Sequence, residues 1–148
     1  MKRQLKQALL ATAFTLPLAA LASSVPASSG RPAIWGDGPC FLMTNSTMYN
    51  SCSTRRSYEL PLPLSSGGSK TVHVTASGAT SSNNVGCAAV GVNREATLIW
   101  GGTRKWLPAF GSAQVITLTD AYVPAAGFLY VGCLVDPGGI INTVDYNG

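Results

Sequence analysis

Charge is scarce in this 148-residue chain, and the side chains that carry most enzyme chemistry are scarcer still. There is one histidine, His73, and there are six carboxylates: Asp37, Glu59, Glu95, Asp120, Asp136 and Asp145. No G-x-S-x-G elbow is present, so a Ser-His-Asp hydrolase would have to assemble around His73 alone. The six acids fall in separate segments, which nominates no carboxyl pair for glycoside hydrolysis. No D-x-D-x-[DN] run supplies the clustered oxygens of a calcium loop. No C-x-x-C pair exists for redox chemistry, and gaps of 11, 34 and 45 residues between successive cysteines do not suit a zinc site. These absences argue against an enzyme and against a resident cofactor or metal. Leu-Glu-Lys periodicity is also missing, which argues against helices.

The N-terminus has a clear pattern. Lys2, Arg3 and Lys6 precede an apolar stretch from Ala8 to Leu18, and Ala20-Leu21-Ala22 puts small residues ahead of Ser23. Basic n-region, short h-region and A-x-A site together predict a secretory signal peptide over residues 1–22, cleaved after Ala22. The apolar run is too short to span a bilayer and contains Pro17, so no transmembrane segment is expected after cleavage. Those three cations belong to the leader. Without them the ten basic residues fall to a net charge of +1 against the six acids, which gives no basic surface for nucleic acid. The expected location is secreted or periplasmic, and the short Ala-rich leader is of bacterial type.

In an exported protein an even cysteine count reads as disulfides. Of the three pairings open to Cys40, Cys52, Cys87 and Cys133, Cys40–Cys52 with Cys87–Cys133 is favoured. The first would close a local loop, and the second would tie two distant strands. Residues 23–33 are small, polar and Pro-containing, and read as a flexible lead-in with nothing to bury. Residues 34–148 read as one domain.

Within it, strand and turn signals alternate. Lys70 to Ala76 puts Val72, Val74 and Ala76 on one face and His73 on the other. Val85 to Val92 with Ala96 to Trp100 is the clearest hairpin. Pro61 and Pro63 mark an edge strand or covering loop, and Asp120 to Gly127, containing Pro124, reads as a crossover. The nearly all-apolar run from Gly127 to Val135 is the expected central strand. In it Leu129, Val131, Cys133 and Val135 form one face, and Phe128, Tyr130, Gly132 and Leu134 the other. Some seven or eight short strands result, predicting an all-β antiparallel sandwich, jelly-roll-like. Leu129 to Cys133 followed by Asp136 to Ile140 resembles the ends of small exported bacterial β-proteins without an assigned activity, which implies no function.

The most suggestive stretch is Trp100-Gly101-Gly102-Thr103-Arg104-Lys105-Trp106. On a loop its indoles could stack on sugar rings while Arg104 and Lys105 donate hydrogen bonds, with Trp35 and Tyr58 extending the surface. The plainer alternative has both tryptophans capping the core. Asn45-Ser46-Thr47 matches a glycosylation sequon, which is incidental in a bacterial protein. The expected role is therefore a non-enzymatic structural, surface or binding module whose partner is a carbohydrate or protein surface. A module binding carbohydrate or another ligand through Trp100, Arg104, Lys105 and Trp106 comes second. A small hydrolase or inhibitor comes third.

Overall fold

The computed structural model describes residues 22–148, so the leader read over residues 1–22 lies outside the described residues except for Ala22. Twelve strands follow one another: β1 Ala22–Pro26, β2 Arg31–Pro32, β3 Phe41–Thr44, β4 Thr47–Asn50, β5 Arg56–Leu62 and β6 Gly68–Ser77, then β7 Val85–Val92, β8 Ile99–Gly101, β9 Lys105–Trp106, β10 Gln114–Val123, β11 Phe128–Val135 and β12 Ile140–Asn147. They form two antiparallel sheets stacked as a jelly-roll sandwich. Sheet A runs β10-β6-β12-β4-β3, with β1 alongside β12. Sheet B runs β2-β5-β11-β7-β8, with β9 alongside β7. The count exceeds the expected seven or eight because β1, β2, β4 and β9 carry no readable pattern: β2 and β9 are two residues long, and β1 and β4 only five and four.

The core lies between the sheets and follows the period-2 reading. Val72, Val74 and Ala76 of β6 are buried, as are Leu129, Val131, Cys133 and Val135 of β11. β11 is central, flanked by β5 and β7. Both disulfides have the favoured pairing. Cys87 and Cys133 sit directly opposite each other on adjacent strands, with Cα atoms 4.1 Å apart, so this bond staples sheet B internally.

Four expectations need correcting. Residues 23–33 are no loose lead-in: β1 pairs with β12 from Ala22↔Asn147 to Pro26↔Thr143, Ala27 is fully buried, and β2 pairs with β5. Small residues concealed this, because the strand earns its place by backbone pairing rather than by large side chains. β10 continues to Val123 through a bulge between Leu118 and Ala121, where Asp120 had suggested a crossover. The second arm of the β7–β8 hairpin begins only at Ile99, because Asn93 Oδ1 accepts from the Thr97 and Leu98 N–H groups and holds 93–98 as a loop. β5 is not wholly an edge: β2 covers Glu59 and Tyr58, leaving Pro61 on the uncovered half. The sequon is a two-residue hairpin turn between β3 and β4, with Asn45 and Ser46 both at positive φ (48° and 68°).

Candidate functional site

The expected Trp100–Trp106 loop does not form one platform. Trp100 lies opposite Gly91, whose missing Cβ points at Tyr122 and Val123 of the facing sheet. Trp100 therefore turns to the inner side and packs edge-on against Tyr122, ring centres 6.0 Å apart. Trp106 lies opposite Gly86 and covers it on the outer side, where a Cβ on Gly86 would meet the indole. Gly101 and Gly102, at φ 92° and 95°, turn the chain between the two. The Thr103 N–H donates to Asp120 at 2.9 Å, and Lys105 Nζ to the Thr117 carbonyl at 2.7 Å. Burial raises the Asp120 pKa, but Thr103 and the Lys105 charge more than offset it, holding this carboxyl below its ordinary value. Lys105 is thus occupied in structure.

Tyr58 leaves the expected surface altogether. It is 1% exposed, packs on Phe41 and donates its hydroxyl to the Ala27 carbonyl, and burial pushes its pKa up to about 12. Inward alternation of β5 with Leu60 and Leu62 is the cause.

His73 sits on the outer face of sheet A, Nδ1 3.0 Å from Thr117 Oγ1 and opposite Asp145 in register. None of the three clefts described below includes it. Asp37, Glu59, Glu95 and Asp136 each pair with an arginine. Among the described residues no three His, Cys, Asp or Glu side chains gather as a metal site.

The surface that does gather is the outer face of sheet B. Register sets out its rows: Pro61–Tyr130–Val90, then Arg31–Glu59–Gly132–Ala88, then Ser57–Leu134–Gly86. Tyr130 stands at the centre, Phe128 lies exposed beside it, and small residues at 86, 88 and 132 hollow the middle. Trp35 rises at the β2 edge and is 98% exposed. A short 3-10 turn, Trp35–Cys40, presents it. The Asp37–Arg56 ion pair (3.4 Å) and the Cys40–Cys52 bond secure that turn.

Three depressions meet on this face. One, of about 610 Å³, is walled by Trp35, Pro32, Pro39 and Arg31. A second, of about 560 Å³, runs from Arg31 and Glu59 past Tyr130 to Phe128. A third, of about 220 Å³, is a groove between Glu59, Ser57, Gly132, Leu134 and Arg104. The Arg31–Glu59 pair (3.7 Å) stands where the first two join. At the far rim Arg55 holds Asp136 with two hydrogen bonds and lies 4.8 Å over the Trp106 ring; the hydrogen bond to Asp136 raises the Arg55 pKa. The sequence had offered Trp35 as part of a surface. Arg31, Glu59 and Tyr130 were missed, although the alternation of β11 already placed Tyr130 and Phe128 off the core.

This two-sheet jelly roll is of the kind found in carbohydrate-binding modules. Similar solved structures include the C-terminal CBM6 of LamC, a marine laminarinase from Zobellia galactanivorans (TM-score 0.52, 12% identity, covering 86% of this chain and 100% of that one). The carbohydrate-binding module CBM6cm-2 of Cellvibrio mixtus lichenase 5A, in complex with cellotriose, is alike too (0.53, 11% identity, 85% and 96%). So is part of the Podospora anserina GH26-CBM35 β-(1,4)-mannanase (0.55, 6% identity, 85% of this chain but 27% of that one). At such identities the likeness is one of fold. No protein-family model matches the chain, and no curated protein does. No helix among the described residues is long and apolar enough to cross a membrane.

Proposed function

We propose that this chain is an exported, non-catalytic carbohydrate-binding module whose binding face is the outer side of sheet B. The observation that carries this reading is Trp35: an indole 98% exposed, on a pinned turn that walls the cleft of about 610 Å³. A tryptophan left in water forgoes the burial that usually dominates its energetics. An exposed indole on a fixed turn is instead a platform on which the apolar face of a sugar ring can stack, with the Arg31–Glu59 pair and Ser57 as hydrogen-bonding partners for hydroxyls. The fold shared with the Cellvibrio module supports the reading, since that module holds cellotriose. This face, rather than the Trp100–Trp106 loop as a whole, carries the proposal: Trp100 turns inward and Lys105 is committed to Thr117, while Arg104 and Trp106 lie on the outer side of sheet B.

Affinity electrophoresis against a panel of neutral and acidic polysaccharides tests it. Trp35→Ala is expected to weaken the retained interaction by roughly 30-fold, the loss of an aromatic hot spot of about 2 kcal/mol. Its melting transition should stay put, since the side chain touches little. Retention equal to wild type in Trp35→Ala, or no retention by any polysaccharide, contradicts the reading.

Export implies a leader removed after Ala22, leaving Ser23 to Pro26 to pair with β12. Mass spectrometry of the protein from the culture medium or periplasm should give Ser23 as the N-terminus and a mass four hydrogens below the reduced chain. A retained leader or a free thiol contradicts this.

A further inference from the structure

The charges on sheet B do not balance at one point. Arg31, Arg55, Arg56 and Arg94 each meet a carboxylate. Arg104, alone among the arginines of the described residues, forms no ion pair, and yet it is half-buried. Its guanidinium lies over the small residues Ala88 and Gly132, beside the indole that covers Gly86, and Nη1 donates to the main-chain carbonyls of Gly86 and, at 3.1 Å, Gly132. Neutral carbonyls orient the group without cancelling its charge. Burial first, and then the nearby charge of Arg55, pull its pKa below the ordinary arginine value. A cation held away from solvent without a counter-charge is costly, and such sites are found where a ligand completes the pairing. Arg104 also borders the groove beside Ser57, Leu134 and the Arg31-paired Glu59, so its charge faces an open surface.

We infer that this groove takes an oxyanion carried on a sugar ring, a carboxylate or a sulfate, with Arg104 as its ionic partner, so that the module selects acidic glycans. The inference rests on the carbohydrate-binding reading and adds its ligand class. Planar guanidinium geometry suits either oxyanion, and a glutamine in its place keeps a donor while losing the charge. Trp35 contributes stacking to neutral and acidic chains alike. Arg104 contributes only where the sugar is charged.

Two matched pairs of polymers test this by affinity electrophoresis: polygalacturonate against its methyl-esterified form, and dextran sulfate against dextran. Wild-type protein should bind one acidic member at least tenfold more tightly than its neutral partner. Which pair shows the effect tells carboxylate from sulfate. Arg104→Gln should bring that ratio close to one and flatten its salt dependence. Gly132→Asp provides an independent variant: a Cβ there meets nothing nearer than Tyr130 at 3.8 Å, so the new carboxylate enters the groove and occupies Arg104 from within. It too should abolish the acidic preference, with a cooperative melt confirming the fold. A preference that survives in both variants overturns the role of Arg104. Binding to neutral glycans with no acidic preference in wild type overturns this inference and leaves the carbohydrate-binding reading standing. Failure of every glycan overturns both.

Discussion

Replacing Cys87 and Cys133 together by alanine should lower unfolding stability by about 4 kcal/mol. The bond joins residues 46 apart in sequence, and freeing a loop of that length restores a large conformational entropy to the unfolded chain. Both positions are buried in the centre of sheet B, so truncation also leaves unfilled space between β7 and β11. A domain of this size has a net stability of roughly 5–15 kcal/mol, so the loss takes a large share of it. The Cys40–Cys52 bond, 12 residues apart, should cost less when removed, about 3 kcal/mol by the same reasoning. Denaturant unfolding of the two double variants checks both the size and the order. A Cys87/Cys133 variant within about 1 kcal/mol of wild type would show that sheet B does not depend on its staple.

Asn50→Ala should be nearly as damaging, at about 3–4 kcal/mol, for a different reason. Asn50 is fully buried at the end of β4 in sheet A and reaches across to sheet B. Its Nδ2 donates to the Val135 carbonyl at 2.7 Å and the Thr54 carbonyl at 3.0 Å, and its Oδ1 accepts from the Cys52 N–H. Its own backbone binds the turn after β11 through Gly139 and Gly138. Alanine leaves three polar groups without these partners, and the buried Val135 carbonyl, with the least access to water, costs most, within about 1–3 kcal/mol for each group. Asn50→Asp keeps the shape but turns a carboxylate oxygen towards two carbonyls, and should be worse than alanine. Thermal melts of the two variants give the ranking. Asp matching wild type would mean that the amide donors carry nothing. Since Thr54 adjoins Arg55, loosening this corner should also free the guanidinium that covers Trp106.

Strand alternation made the two-sheet core readable. Val72 and Val74 of β6, and the Leu129-to-Val135 face of β11, need only the period of two to be assigned. Alternation also turned Cys133 inward with Val131 and Val135, while the choice of its partner rested on one local loop and one long-range tie. The short strands did not show. β1 and β2 carry serine, proline and arginine, and they belong to the sheets through backbone hydrogen bonds to β12 and β5, which leave no side-chain signature. The site was half legible for a related reason. Exposed aromatics cannot be told from buried ones by residue type: Trp35 and Tyr58 read alike, yet one is in water and the other is core. Arg104 reads from the sequence as a ligand donor on a loop, but nothing local shows that Gly132, far along the chain, leaves a hollow beside it.

Backbone amide shifts during titration with a bound oligosaccharide, acidic or neutral, test the binding face most directly. Binding across sheet B predicts shifts concentrated at the Trp35 indole, Arg31, Glu59, Ser57 and Tyr130. Residues on the far side of the sandwich, such as His73 and Thr117 on sheet A, should stay still. Shifts centred on sheet A or on Trp100, with Trp35 unmoved, would contradict it.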